Sequence, residues 1–200
     1  MKRFLLAAAC LGTLAGASTA ANPIVLMKTS MGDVKIELFQ DKAPITAKNF
    51  LDYVDAKHYD GTLFHRVIGK PHGERDFMIQ GGGFEPGLKE KKTGEAIKNE
   101  ASPEVPNKRG TIAMARTPDP DSATAQFFIN VADNDFLNRS ADYKDTKDPK
   151  KAGYAVFGKV VDKASMDVVE KIKAVEVKDT DEHERVPTVD VVIKSIRLMK

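Results

Sequence analysis

Cysteine is almost missing from this chain: Cys10 is the only one in 200 residues. It lies in an N-terminal stretch with the layout of an export signal. Lys2 and Arg3 form a charged start, residues 4–17 are apolar or small, and Ser18-Thr19-Ala20 has the small-residue pattern of a signal-peptidase site. The AAAC stretch can also be read as a lipoprotein site, but its apolar run before Cys10 would be very short. Cleavage after Ala20, or equally after Ala21, removes the cysteine. The domain expected over 21–200 then folds without a disulfide even in an oxidising compartment. A chain of this size buries roughly 70% of its unfolded surface, so hydrophobic burial suffices. A second long apolar run, of the ~20 residues that a membrane span needs, is also missing.

An excess of one charge is missing as well. Lys2 and Arg3 leave with the signal, so the 31 Lys and Arg become 29, equal to the 29 Asp and Glu. Nucleic-acid binding, which needs a basic face, gains no support. Balanced charge and the lack of a long exposed apolar run favour a monomer. Histidines are few: His58, His65, His72 and His183 form no metal-ligand spacing, and His65 reads as a buried, hydrogen-bonded side chain. The loop at 117–125 (TPDPDSATA) is acidic, but it lacks the closing glutamate and the fixed spacing of a calcium loop.

What is present is mostly strand. Residues 24–29 lean apolar, residues 30–33 break the run, and Val34, Ile36 and Leu38 alternate with Lys35 and Glu37, so the pair predicts a hairpin. Pro44 opens a helix whose Ala47, Phe50, Leu51 and Val54 make one apolar stripe. Strands follow at 62–68, 76–80, 112–115, 126–131, 154–161 and 189–198, with a second helix around Met166, Val169 and Ile172. Residues 84–107 and 138–151 read as long charged loops, the latter solvated. About eight strands with two helices, no βαβ alternation and no repeat point to a mainly β barrel or sandwich with helices at its ends.

The chemistry concentrates in residues 64–83, FHRVIGKPHGERDFMIQGGG. Arg66 stands on one apolar segment and Gln80 ends a second, with Phe77 and Met78 just before it and three glycines after it. A cation, an amide and an apolar pair are the parts of a site that grips an amide group beside an apolar ring. Taken singly, Arg66 on a strand is most often a surface ion-pair partner, and Phe77, Met78 and Phe128 are by default core. Phe127 and Phe128 must face opposite sides of their strand; Phe127 is expected inside and Phe128 in the site.

Six segments together carry a resemblance: FHRVI at 64–68, FMIQGGG at 77–83, RGTIAMA at 109–115, QFFINV at 126–131, FL at 136–137 and YAVFGKV at 154–160. In this order the chain resembles the cyclophilins, the peptidyl-prolyl cis-trans isomerases, over most of residues 24–198. With its signal and Tyr154 it is most similar to periplasmic members from Gram-negative bacteria. The resemblance implies an eight-stranded antiparallel barrel capped by two α-helices, with the site on its outer face. It implies that Arg66 is the catalytic arginine and that Gln80 holds the substrate backbone. Phe77, Met78, Phe128 and Leu137 would wall a proline pocket, and the backbone of Ala115 and Arg116 would pair with the peptide. Phe136 and Tyr154 would complete the binding residues.

The implied substrates are proline-containing, unfolded or partly folded polypeptides in the periplasm. No covalent bond breaks in such a rotation, so no metal or cofactor is expected. A chaperone that merely holds chains has no need of Arg66, and a hydrolase finds no histidine near Ser122 or Ser140 in sequence. Three departures from the family stand out. Tyr154 replaces a frequent histidine. Phe136 replaces the tryptophan whose N–H binds cyclosporin in eukaryotic members, which predicts weak cyclosporin binding. The segment Gly69 to Arg75 lengthens a usually short link and is expected to bulge into solvent.

Overall fold

A computed structural model describes residues 21–70 and 75–199. The expected export signal at 1–20, His72 and the middle of the lengthened link, 71–74, lie outside the described residues. Strands β1 (Ile24–Thr29) and β2 (Gly32–Leu38) form the expected hairpin, running from Ile24 opposite Glu37 to Thr29 opposite Gly32. There follow α1 (Pro44–Asp55), β3 (Thr62–Ile68), β4 (Met78–Gly81), β5 (Phe84–Glu85), β6 (Lys89–Glu90), β7 (Thr111–Met114) and β8 (Phe127–Asn130). The chain continues through α2 (Tyr143–Thr146), β9 (Val156–Val160), α3 (Lys163–Lys173), β10 (Val177–Lys178), β11 (Val186–Pro187) and β12 (Val192–Leu198).

Eight of these strands close an antiparallel barrel in the order β1-β12-β3-β4-β8-β7-β9-β2. Alternation fills it: Val25 and Met27, and Val34, Ile36 and Leu38, turn inward and are buried. Ile193 and Ile196, three apart, are both buried because the β1–β12 register slips between Lys28 and Thr29. Each such side chain contributes ~1.5–3 kcal/mol of burial. Rings at one end pack edge to face or tilted, with Phe50 of α1 lying 5.8 Å from Phe127 and 5.2 Å from Phe157.

The two helices plug opposite ends. α1 follows directly from the end of β2, whereas α3 meets its start: Ser165 Oγ accepts the Lys35 N–H at 2.9 Å. A β-carbon on Gly32 would come within 2.8 Å of Val168, so glycine lets α3 sit down. α3 is capped by Asp162, whose carboxylate accepts the Ser165 N–H at 2.8 Å. α1 has no cap of its own, since Ala43 and Pro44 offer no side-chain acceptor. Glu100 supplies it from the long loop, accepting the Ile45 and Thr46 N–H groups at 3.2 and 2.7 Å.

Several sequence expectations shift. The stretch 84–107 is more than irregular loop: β5 and β6 pair within it, and Ile97 bridges to Ala123. The charged stretch 138–151 contains α2 and a 3-10 turn at Pro149–Lys151. The last strand starts at Val192 instead of 189, leaving Val189 78% exposed in the preceding loop. β4 starts at Met78 instead of 76, because Asp76 turns its carboxylate to the Lys70 N–H and the Lys173 ammonium. β9 starts at Val156, so Tyr154 precedes the strand. Two-residue strands such as β10 and β11 have too few positions to show a period.

Candidate active site

The site is written across the outer face of the barrel. Pairing sets Arg66 of β3 opposite Gln80 of β4, Gln80 opposite Phe128 of β8, and Phe128 opposite Ala113 of β7. One row therefore crosses four neighbouring strands, carrying a cation, an amide, a ring and a small residue. The row depends on an irregularity. The β3–β4 register slips between Phe64 and Arg66, so Phe64 and Val67 both face the core although they are three apart. A bulge of this kind re-aims the side chains beside it. Without it, Phe64 and Arg66 would share a face, and the cation could not leave the barrel while the ring stayed in.

Phe127 packs in the main core and Phe128 in a second cluster on the outer face, with Met78, Ala113, Leu137 and Val156. Above this cluster lies a cavity of about 130 Å³ lined by Arg66, Phe77, Met78, Gln80, Ala115, Arg116, Phe128, Leu137 and Tyr154. It is close in size to the ~150 Å³ apolar hole that takes one benzene-sized ring. The structure thus gathers nine of the ten residues singled out in the sequence. The tenth, Phe136, stands on the rim, 55% exposed, with its ring 5.4 Å from Phe77. Arg75, the described end of the lengthened link, lays its guanidinium 4.5 Å from the Phe136 ring centre. That end folds back over the rim.

Each polar member has a defined aim. Arg66 is about one-third exposed, lines the cavity and meets Glu184 through one nitrogen at 3.4 Å, a long contact. Gln80 donates through Nε2 to Gln126 Oε1 at 3.0 Å, which leaves its own oxygen to accept. Gln126 can occupy that place because residue 83 is glycine; a β-carbon there would come within 2.5 Å of it. Ala115 spends its N–H on the Gln126 carbonyl, so its carbonyl is what it offers. Arg116 is tied to the Gly153 and Thr117 carbonyls at 3.2 and 2.9 Å and lies 4.4 Å over the Tyr154 ring. Tyr154 in turn stands edge-on to Phe128 at 5.7 Å.

His65, next to the catalytic candidate, is 5% exposed, as expected, but its Nδ1 is buried without a hydrogen-bond partner among the described residues. Burial first, then the nearby His183 and Arg66 charges, hold its pKa down at about 4. The ring stays neutral through the physiological range, tilted against Phe84 with the ring centres 4.5 Å apart.

Sequence reading missed a set of buried asparagines behind the cavity. Asn134 donates to the Phe77 carbonyl at 2.8 Å, and Asn107 donates to the Leu137 and Tyr154 carbonyls at 3.2 and 3.4 Å. The spacing of Asn130 and Asn134 around a strand end was the available signal.

Comparisons agree with this fold. The family model described as cyclophilin-type peptidyl-prolyl cis-trans isomerase matches residues 24–198. A peptidyl-prolyl cis-trans isomerase of Acinetobacter baylyi is 53% identical over 187 residues, covering 94% of this chain and 91% of its own length. Peptidyl-prolyl cis-trans isomerase B of Escherichia coli is 54% identical over 173 residues, covering 86% of this chain and 98% of its own. Among solved structures, a cyclophilin-type isomerase of Cryptosporidium parvum, crystallised in the presence of the dipeptide Ala-Pro, superposes with a TM-score of 0.68 at 26% identity. That superposition covers 88% of this chain and 99% of the other.

Proposed function

The chain belongs to the cyclophilin-type peptidyl-prolyl cis-trans isomerases and has that activity; we propose that it uses Arg66 to turn X-Pro bonds in exported polypeptides as they fold. An X-Pro bond crosses a barrier of ~18–20 kcal/mol set by resonance between nitrogen and carbonyl. Uncatalysed exchange takes tens to hundreds of seconds. At the twisted transition state the prolyl nitrogen becomes pyramidal and gains a lone pair. A donor aimed at that lone pair binds the twisted state better than the planar one, and this differential binding lowers the barrier. The Arg66 guanidinium suits the task because it stays charged at any working pH.

One hydrogen bond from a charged group contributes ~1.5–3 kcal/mol, and enzymes commonly remove ~8 kcal/mol or more. The rest is assigned to holding the substrate. The proline ring sits among Phe77, Met78, Phe128 and Leu137. The Gln80 oxygen and the Ala115–Arg116 backbone hold the flanking peptide groups, while Tyr154 keeps Arg116 in place. The observation that carries this reading is the Arg66–Gln80 pair, opposite each other in register beside an apolar cavity of ring size.

Export rests on the signal pattern at 1–20 and on a folded part without cysteine, which is indifferent to an oxidising compartment. The expected product starts at Ala21 or Asn22 and is periplasmic and monomeric. The test of the chemistry is protease-free isomerisation of a short X-Pro peptide. Arg66→Ala is expected to lower kcat/KM by roughly 10²–10³-fold, the scale for losing one transition-state donor, with the melting temperature kept. A parent no faster than the spontaneous rate, or an Arg66→Ala variant as fast as the parent, would overturn the assignment.

A further inference from the structure

We propose that Asn107, Asn130 and Asn134 form a buried amide relay that sets the walls of the proline pocket, with Asn107 as its principal positioning residue; this rests on the isomerase reading above. The three pocket walls come from unrelated stretches. Phe77 precedes β4, Leu137 ends a 3-10 turn (Asp135–Leu137) and Tyr154 precedes β9. None of the three lies inside a barrel strand. Backbone bonds hold them in part: Phe77 donates to the Ile68 carbonyl at 3.0 Å and accepts the Val131 N–H at 3.1 Å, and Tyr154 donates to the Leu137 carbonyl at 3.0 Å. No backbone bond joins the Phe77 wall to the Leu137–Tyr154 wall among the described residues. The asparagines tie them together. Asn134 Nδ2 donates to the Phe77 carbonyl at 2.8 Å and to Asn130 Oδ1 at 2.7 Å. Asn130 Nδ2 donates to Asn107 Oδ1 at 3.2 Å and to Thr111 Oγ1 at 2.9 Å. Asn107 Nδ2 reaches the Leu137 and Tyr154 carbonyls at 3.2 and 3.4 Å.

The direction of the relay is fixed by its ends. Both ends are carbonyls, which accept, so each terminal amide must present nitrogen to the wall, and Asn130 can serve both neighbours only as drawn. All three side chains are buried, at 1%, 0% and 2% exposure. In that environment every amide must be paired, and a satisfied network holds one arrangement. The core needs no such device: the cavity-facing cluster of Met78, Ala113 and Phe128 is apolar without it. What the relay adds is a shared reference for Phe77, Leu137 and Tyr154, whose rings and methyls grip the proline.

The test is Asn107→Asp, nearly the same shape but unable to donate once ionised. The neighbouring charges, Lys108 with Asp133 and Asp135, pair with one another at 3.3 and 2.8 Å and are common to parent and variant. Expected is a folded variant whose kcat/KM falls roughly tenfold at pH 8, a fraction of the ~10²-fold that a 1 Å misplacement can cost. Burial at this position raises a carboxyl above its ordinary range, so part of the loss should return at pH 5.5 as the neutral acid donates again, while the parent stays flat. Tyr59→Phe is the control. It removes a buried 2.9 Å bond to the Ala125 carbonyl inside the barrel, away from the pocket, and should lower the melting temperature with kcat/KM unchanged. If Asn107→Asp does not fold, Asn134→Ser decides, with an expected loss of about threefold. Either folded variant within the error of the parent, or losses that track melting temperature just as the control does, would overturn the relay. An inactive parent would overturn the isomerase reading instead.

Discussion

The inner and outer faces of β8 differ by one residue along the chain and by everything in what they do. Phe127 is fully buried, edge-on to Phe50, Tyr59 and Phe64. Phe128 is 5% exposed, edge-on to Tyr154 and beneath the cavity. Both are phenylalanines, both are nearly buried, and burial alone does not separate structure from function. The neighbours do. Phe127 meets rings on every side, whereas Phe128 shares its row with Arg66 and Gln80. A strand alternates its faces, so a barrel wall holds a packed core on one side and a patterned site on the other, joined rigidly through one backbone.

His65 tests that division hardest, because it lies on the outer side yet should act as a stability residue. Its pKa of about 4 is below the ordinary 6.5. The unfolded chain therefore takes up a proton first on acidification. The neutral ring's contribution is complete above pH 6.5 and is lost as pH falls towards 4. A shift of this size corresponds to on the order of 3 kcal/mol. Burial lowers the His58 pKa too, so it adds in the same direction. Denaturant unfolding at pH 7 and pH 4.5 is expected to show this loss in the parent and a smaller one in His65→Phe. Equal slopes would remove His65 from this role. Activity between pH 6 and 8 should stay nearly flat in both, since a guanidinium donor keeps its charge there.

Phe136 sharpens the comparison at the rim, and its effect is smaller. Its ring is half exposed and donates no hydrogen bond, so cyclosporin should bind weakly. Phe136→Trp restores an indole N–H and should tighten cyclosporin roughly tenfold, the worth of about one hydrogen bond, with peptide isomerisation changed little. Titration calorimetry measures it, and an unchanged affinity contradicts the assignment.

The barrel was legible because its strands alternate and its two long helices carry clean stripes. Strand limits were less so. Asp76 and Val189 continue an apolar-leaning run in sequence, yet the first is drawn off to Lys70 and Lys173 and the second lies in a solvent loop. The cap on α1 could not be read at all, because Glu100 lies 55 positions from the first N–H it accepts. The site was legible through the family's six segments, and less so through periodicity. The bulge that turns Arg66 outward leaves only a faint mark, the three-residue step from Phe64 to Val67 where a regular strand steps by two. The asparagine relay had no periodic signature, since Asn107 and Asn134 meet only once β7 and β8 pair.

The most direct measurement is the parallel comparison of Phe127→Leu and Phe128→Leu. Unfolding free energy and kcat/KM would be measured on each purified protein, well below its melting temperature. The inner substitution is expected to cost about 1–3 kcal/mol of stability by leaving poorly filled core, with kcat/KM within about threefold of the parent. The outer one, itself nearly buried, should cost no more than about 1–3 kcal/mol but lower kcat/KM by roughly tenfold or more. If both variants lose stability and activity in the same proportion, the two faces of β8 do one job, and the division between packed core and outer-face site is wrong.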